Sequence, residues 1–353
     1  IFIRYIMRKF KKEIIIKNVT IGNNHPIAIQ SMTNTKTSNI DDTVKQIKVL
    51  ENNGCDIIRV AITNEKDALS IKEIKKQISI PIVADIHFDY KLAILSIQNG
   101  ADKIRINPGN IGSKDNLLKI INVAKEYNIP IRIGVNSGSV EKEYLEKYNG
   151  PTINAMIDSL DSHIRFFEEN NFFNLVLSIK TTNLNDTIEV NKILNEKYDY
   201  PLHIGLTESG TRTSGTVKSS YVLGTLLNLN IGDTIRVSLT SDPLDEIFVA
   251  KEILAMTNHL NKPTLISCPT CGRTSYKMMP IVNEVEKYLN TINKKITVAV
   301  MGCVVNGPGE AKHADIGIAG GIRKGVLFKK GEIIKTIPEE DIVKELINEI
   351  EKM

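Results

Sequence analysis

No apolar run in this sequence of 353 residues approaches the ~20 needed for a helix to span a bilayer, so a soluble chain without membrane partners is expected. Cysteine is scarce as well. There are four in all, too few and too unevenly placed for a disulfide framework, which fits a reducing compartment. The stretch Ile1 to Lys12 lacks the uninterrupted apolar core of a secretory signal, so a cytoplasmic protein is expected; Met7 is a candidate start. A strong excess of either charge is missing too, with 45 Lys and Arg against 41 Asp and Glu. A formal net charge of +4 gives no reason to expect nucleic acid as a partner, although basic residues could still converge on an anionic substrate.

What is present is a repeat. Hydrophobic content of 42% is ordinary for a globular protein, and the length suggests two domains or one large barrel with an addition. From about residue 27 a short apolar run, a turn and an amphipathic stretch recur. The apolar runs are Ile27–Met32, Ile57–Ile62, Ile80–Ile86, Lys103–Ile106, Ile129–Val135, Leu175–Ile179, Leu202–Leu206 and Thr234–Leu239. Between them, stretches such as Asp42–Asn53 and Lys114–Tyr127 carry apolar residues three and four apart, as one-sided helices do. Strands that read almost continuously apolar are covered on both faces. Eight such units in about 230 residues predict a (β/α)8 TIM barrel. A doubly wound open sheet is the rival, but no G-x-G-x-x-G follows the first strand.

In a barrel the C-terminal ends of the strands meet at one mouth, where active sites are built. Here those ends bring Gln30-Ser31-Met32-Thr33, Arg59, Asp85, His87, Arg105, Asn107, Arg132 and Asn136, then Lys180, His203, Glu208, Arg236 and Ser238. Alternation along a strand predicts a shared face for Arg105 with Asn107 and for Asp85 with His87. Any one of the cations could be a paired structural charge. Five strands each delivering one suit phosphate, whose oxygens guanidinium forks match two at a time. The Gly- and Thr-rich stretch Glu208–Lys218 follows the seventh strand, where barrels often hold phosphate. His87 and Glu208 are the acid–base candidates, though Glu208 could equally be a counter-ion. Cys55 reads as a small packed thiol.

Near His259–Pro263 the rhythm breaks, which sets the expected domains at 1–260 and 261–353. The remainder reads as a small α+β module: strands at Leu265–Ser267 and Ile296–Met301, a helix at Ile281–Leu289, a turn at Gly320-Gly321, a hairpin about Lys329–Gly331 and a terminal helix. It holds Cys268-Pro-Thr-Cys271 and, well downstream, Cys303, which together form a metal-ligand pattern. Zinc held by these three with His313 is one reading. An iron–sulfur cluster on three thiolates and a weaker oxygen ligand is the other.

Beyond spacing, whole motifs are familiar. The runs Gln30–Thr35, Val83–Phe88, Arg105–Gly112 and Arg132–Asn136, with Cys268–Cys271 and Gly302–Glu310, closely resemble the two-domain bacterial 4-hydroxy-3-methylbut-2-enyl diphosphate synthase family. The resemblance runs in order from about residue 13 to the end. It implies a 4Fe-4S cluster on Cys268, Cys271, Cys303 and Glu310. The implied reaction is reductive ring opening of 2-C-methyl-D-erythritol 2,4-cyclodiphosphate, with electrons from flavodoxin or ferredoxin. It further implies that Arg59, Arg105, Arg132, Lys180 and Lys218 clamp the diphosphate, that Asn306 meets substrate and that Glu208 is a candidate proton donor. Members are homodimers in which one subunit's cluster module caps the other's barrel. Gly210–Thr213 departs from the usual small-residue run, which leaves the role of Arg212 open.

Overall fold

The computed structural model describes residues 9–303, 309 and 311–353, and the chain divides into two compact units, Ile1–His259 and Leu260–Met353. The first opens with an antiparallel hairpin, β1 (Ile14–Ile16) and β2 (Val19–Ile21). Eight parallel strands follow: β3 (Ala28–Met32), β4 (Ile57–Ile62), β5 (Ile82–Ile86), β6 (Lys103–Ile106), β7 (Ile131–Asn136), β8 (Leu175–Lys180), β9 (His203–Gly205) and β10 (Thr234–Arg236). Each pairs with its neighbour in sequence from β3 to β8, and β10 pairs with both β9 and β3. A bridge between Leu177 and Leu202, with Leu177 N–H donating to Pro201 O at 2.9 Å, closes the circle between β8 and β9. The expected TIM barrel is present.

Seven helices of this unit start where a polar side chain caps them. Asn39, Asn64, Asp89, Ser113, Thr152, Asn183 and Asp242 each accept a hydrogen bond from a backbone N–H of the first turn. Such a cap is worth about 1 kcal/mol. Six of the seven lie in loops that leave the C-terminal ends of strands, so they also fix the walls of the mouth; Thr152 follows the short helix Lys142–Lys147. The hairpin, which the repeat pattern did not disclose, plugs the opposite end. Ile14, Ile16 and Ile21 pack on Ala28, Ile57, Val83 and Val176, residues from the beginnings of four barrel strands.

The second unit is a five-stranded mixed sheet: β11 (Thr264–Ser267), β12 (Thr297–Met301) and β13 (Ile316–Gly321) run parallel, and β14 (Lys324–Lys329) and β15 (Glu332–Pro338) return antiparallel. Helices Met278–Leu289 and Ile342–Glu351 pack their apolar stripes on it through Ile281, Val285, Leu346 and Ile350. The Gly320-Gly321 pair is not a turn but the end of β13. A Cβ on Gly320 would sit 1.8 Å from the Tyr276 ring, so the glycine makes room for that ring, and the turn moves to Ile322 and Arg323, where Arg323 takes φ +54°. Among the described residues no helix is long and apolar enough to cross a membrane.

Candidate active site

The strand ends enclose a cavity of about 310 Å³ at the barrel mouth. Arg59, Asp85 and His87 line it from β4 and β5, Arg105, Arg132 and Asn136 from β6 and β7, and Lys180, Arg236 and Ser238 from the far side. All nine are among the residues expected from sequence. Two glycines make the crowding possible. A Cβ on Gly134 would lie 3.0 Å from Arg105 Nε, and one on Gly205 would lie 2.6 Å from Lys180 Nζ and 2.5 Å from Arg236 O.

Asp85 is the hub of one side. Its carboxylate meets Arg105 NH1 at 3.2 Å, His87 Nε2 at 3.5 Å and Arg59 Nε at 3.7 Å. Burial acts to raise its pKa, but the Arg59 charge, the His87 hydrogen bond and the Arg105 charge outweigh burial and hold it below the usual carboxylate range. On the other side Glu246, from the helix Pro243–Met256, lies 3.7 Å from Arg236 Nε and accepts from Ser31 Oγ and from Leu239 N–H. Arg132 is buried with Nε and NH1 unpartnered. Burial, then the Arg59 and Arg105 charges, push its pKa well down, and Lys180 is pushed the same way by burial and by Arg132 and Arg236. Counted in their ordinary charged forms, five cations (Arg59, Arg105, Arg132, Lys180, Arg236) face two carboxylates (Asp85, Glu246), a formal excess of three positive charges. Crowded, desolvated cations of this kind call for an anion with several oxygens.

Other expected residues stand apart from the cavity wall. Asn107 is buried past the end of β6 with Oδ1 unpartnered, and His203 is fully buried one layer deeper. Glu208 is exposed beside the lining residue Thr207 and holds φ +52°, a left-handed conformation unfavourable for a side-chain-bearing residue. Lys218 is exposed on the helix Arg212–Asn228, and Arg212 pairs with Asp245 at 3.3 Å. Met32, at the end of the first barrel strand, lines the cavity as expected; Ser178 and Thr207 line it without having been singled out from sequence, and neither Glu246 nor Lys103 was recognised. Lys103 had a signal: a lysine two residues before Arg105 on an apolar strand shares its inward face. It is fully buried with Nζ unpartnered. Cys55 is a buried thiol whose pKa burial pushes up to about 12.

In the second unit, Cys268 and Cys303 follow the ends of adjacent parallel strands. Ser267 pairs with Val300, so Cys268 stands level with Met301, two residues before Cys303. The N–H of Gly302 donates to Cys268 Sγ at 3.0 Å. Cys271 is exposed, and its thiol pKa is lowered by backbone and side-chain hydrogen bonds from Arg273. One thiol made easier to ionise, with an amide aimed at the sulfur of another, suits a soft-metal or iron–sulfur group. Among the described residues no three His, Cys, Asp or Glu side chains already stand together as a metal cage. Glu310 and Asn306 lie outside the described residues.

Known proteins share this pattern. Residues 11–251 match the family model of the GcpE TIM-barrel domain, and residues 264–352 that of the GcpE protein C-terminal domain. A relative from Caldanaerobacter subterraneus, named 4-hydroxy-3-methylbut-2-en-1-yl diphosphate synthase (flavodoxin), is 58% identical over 98% of this chain and 98% of its own. One of the same name from Fusobacterium nucleatum is 52% identical over 96% of each. Among solved structures, the 7,8-dihydropteroate synthase of Vibrio fischeri superposes with a TM-score of 0.51 at 16% identity, over 70% of this chain and 98% of that one. The HPPK-DHPS of Plasmodium falciparum gives 0.53 at 13% identity, over 70% and 50%. At such identities the likeness concerns fold alone.

Proposed function

The chain belongs to the GcpE family of 4-hydroxy-3-methylbut-2-en-1-yl diphosphate synthases, and from that premise we propose which of its residues perform the reaction. The enzyme is an oxidoreductase of isoprenoid biosynthesis that opens 2-C-methyl-D-erythritol 2,4-cyclodiphosphate reductively. Two electrons replace two C–O bonds by one C=C bond. One bond releases a phosphate oxyanion; the other releases hydroxide, which departs as water on taking a proton. Ring opening therefore adds one negative charge to the diphosphate.

The cyclic diphosphate sits in the barrel mouth, held by Arg59, Arg105, Arg132, Lys180 and Arg236, with Ser238 and Asn136 hydrogen-bonding at its edge. The supporting observation is the formal excess of three positive charges there. Because the ligand becomes more anionic as the ring opens, these cations stabilise the transition state more than the ground state. Asp85 keeps Arg59 and Arg105 aimed, and His87 leans on the same carboxylate. Glu208 donates the proton to the departing hydroxyl, a role consistent with its strained backbone at the rim. Asn107 braces the loop after β6, while Lys218 and Asn306 contribute to substrate binding from outside the cavity wall.

Residues 261–353 form the redox domain, in which Cys268, Cys271, Cys303 and Glu310 hold a 4Fe-4S cluster, and residues 1–260 bind substrate. When bound, that cluster supplies electrons one at a time. Flavodoxin, named for the relatives, or ferredoxin is the donor. The protein works in the cytoplasm as a homodimer in which one subunit's redox domain caps the partner's barrel. Anaerobic purification should yield a brown protein with about four irons per chain that turns over the cyclic diphosphate with a one-electron donor. A colourless protein holding one zinc and giving no product would sink this reading.

A further inference from the structure

His203 sits at the start of β9, level with Thr234, and is fully buried beneath the cavity rather than in its wall. What it meets is Lys180: His203 Nε2 lies 3.2 Å from Lys180 Nζ, while Nδ1 lies 2.7 Å from Thr234 Oγ1. Burial and the neighbouring cations disfavour the ammonium of Lys180, and a bound anion favours it. In that charged form it has donors and no acceptor, so Lys180 donates to Nε2, and the ring keeps its own proton on Nδ1, donated to Thr234. The imidazole stays neutral at this depth, since burial, then the Arg132 and Lys180 charges, disfavour its cationic form. No carboxylate ion-pairs with Lys180 among the described residues; Arg132, Arg236, Arg59 and Arg105 crowd it instead. Gly205 leaves its path open.

We infer that His203 is a positioning residue, a neutral acceptor that fixes where the Lys180 ammonium points without cancelling its charge. A carboxylate in the same place would aim the lysine and neutralise it, reducing the excess charge on which anion binding depends. This rests on the barrel mouth being the seat of the diphosphate.

The test is calorimetric binding of the cyclic diphosphate to the anaerobically purified enzyme, paired with steady-state kinetics. His203→Leu should weaken binding about tenfold, as loss of a hydrogen bond to a charged group does, with a much smaller change in kcat. His203→Gln, which can still present an oxygen acceptor, should recover most of the affinity. In a Lys180→Met background, His203→Leu should add less than about twofold, because the group it positions is gone. Equal losses in both backgrounds would overturn the inference and make His203 a packing residue, as would a His203→Gln variant no better than His203→Leu. If Lys180→Met itself left the affinity unchanged, the placement of the diphosphate would fall, and the role of His203 with it.

Discussion

Replacing Asp85 by Asn tests whether the mouth is built around charge. The side chain keeps its shape but loses the charge that Arg59 and Arg105 face at 3.7 and 3.2 Å, and these three side chains are 4%, 11% and 12% exposed. Removing one partner of a buried ion pair typically costs about 3–5 kcal/mol, because the remaining charge is left uncompensated. An asparagine that still hydrogen-bonds places the expectation near the lower end, about 3 kcal/mol at pH 7. The pH dependence gives the sign. The folded pKa of Asp85 lies below its unfolded value, so its contribution is fully present above the unfolded value, near 3.9, and declines as pH falls below that toward the folded one. The gap between wild type and Asp85→Asn should therefore be widest at neutral pH and narrow progressively below about pH 4. Urea unfolding followed by circular dichroism and by the fluorescence of the 10 tyrosines, in a chain with no tryptophan, would measure it. Equal midpoints at pH 7, or a gap undiminished at low pH, would refute the reasoning. Bound diphosphate should restore part of the loss, since its oxygens supply the missing charge.

Two further outcomes follow from the proposed roles. Arg105→Ala should weaken binding of the cyclic diphosphate by at least about tenfold while leaving the cluster absorption spectrum unaltered; calorimetry showing unchanged affinity would count against the clamp. Glu310→Ala should keep most of its iron but lose turnover, whereas Cys303→Ser should lose the cluster, and iron analysis beside activity separates the two; an inactive, iron-free Glu310→Ala would contradict the ligand assignment.

The barrel was legible because its strands are buried on both faces, and a short apolar run such as Ile57–Ile62, bounded by polar turns, suits a covered strand better than a one-sided helix. Its mouth was legible because a lone Arg in such a run must point at something. Legibility failed where a residue was read past the end of its strand, or where a strand was shorter than its apolar run. β6 stops at Ile106, so alternation no longer governs Asn107, which turns into the short 3-10 helix Pro108–Asn110 instead of joining Arg105 at the cavity. β9 begins at His203, so a residue read as lying at the mouth is one layer below it. Glu246 gave no signal because it sits on a helix and its hydrogen-bond partner Ser31 lies 215 residues away along the chain. The hairpin escaped notice because each arm is three residues long, too short for a period to register.

That hairpin has a consequence for transport of water and protons. With Ile14, Ile16 and Ile21 sealing the far end in hydrocarbon, the buried layer holding Lys103 and His203 exchanges solvent chiefly through the mouth. A diphosphate held there, as proposed, would sit across that route like a stopper, and the groups beneath would exchange protons with solvent more slowly while it stayed.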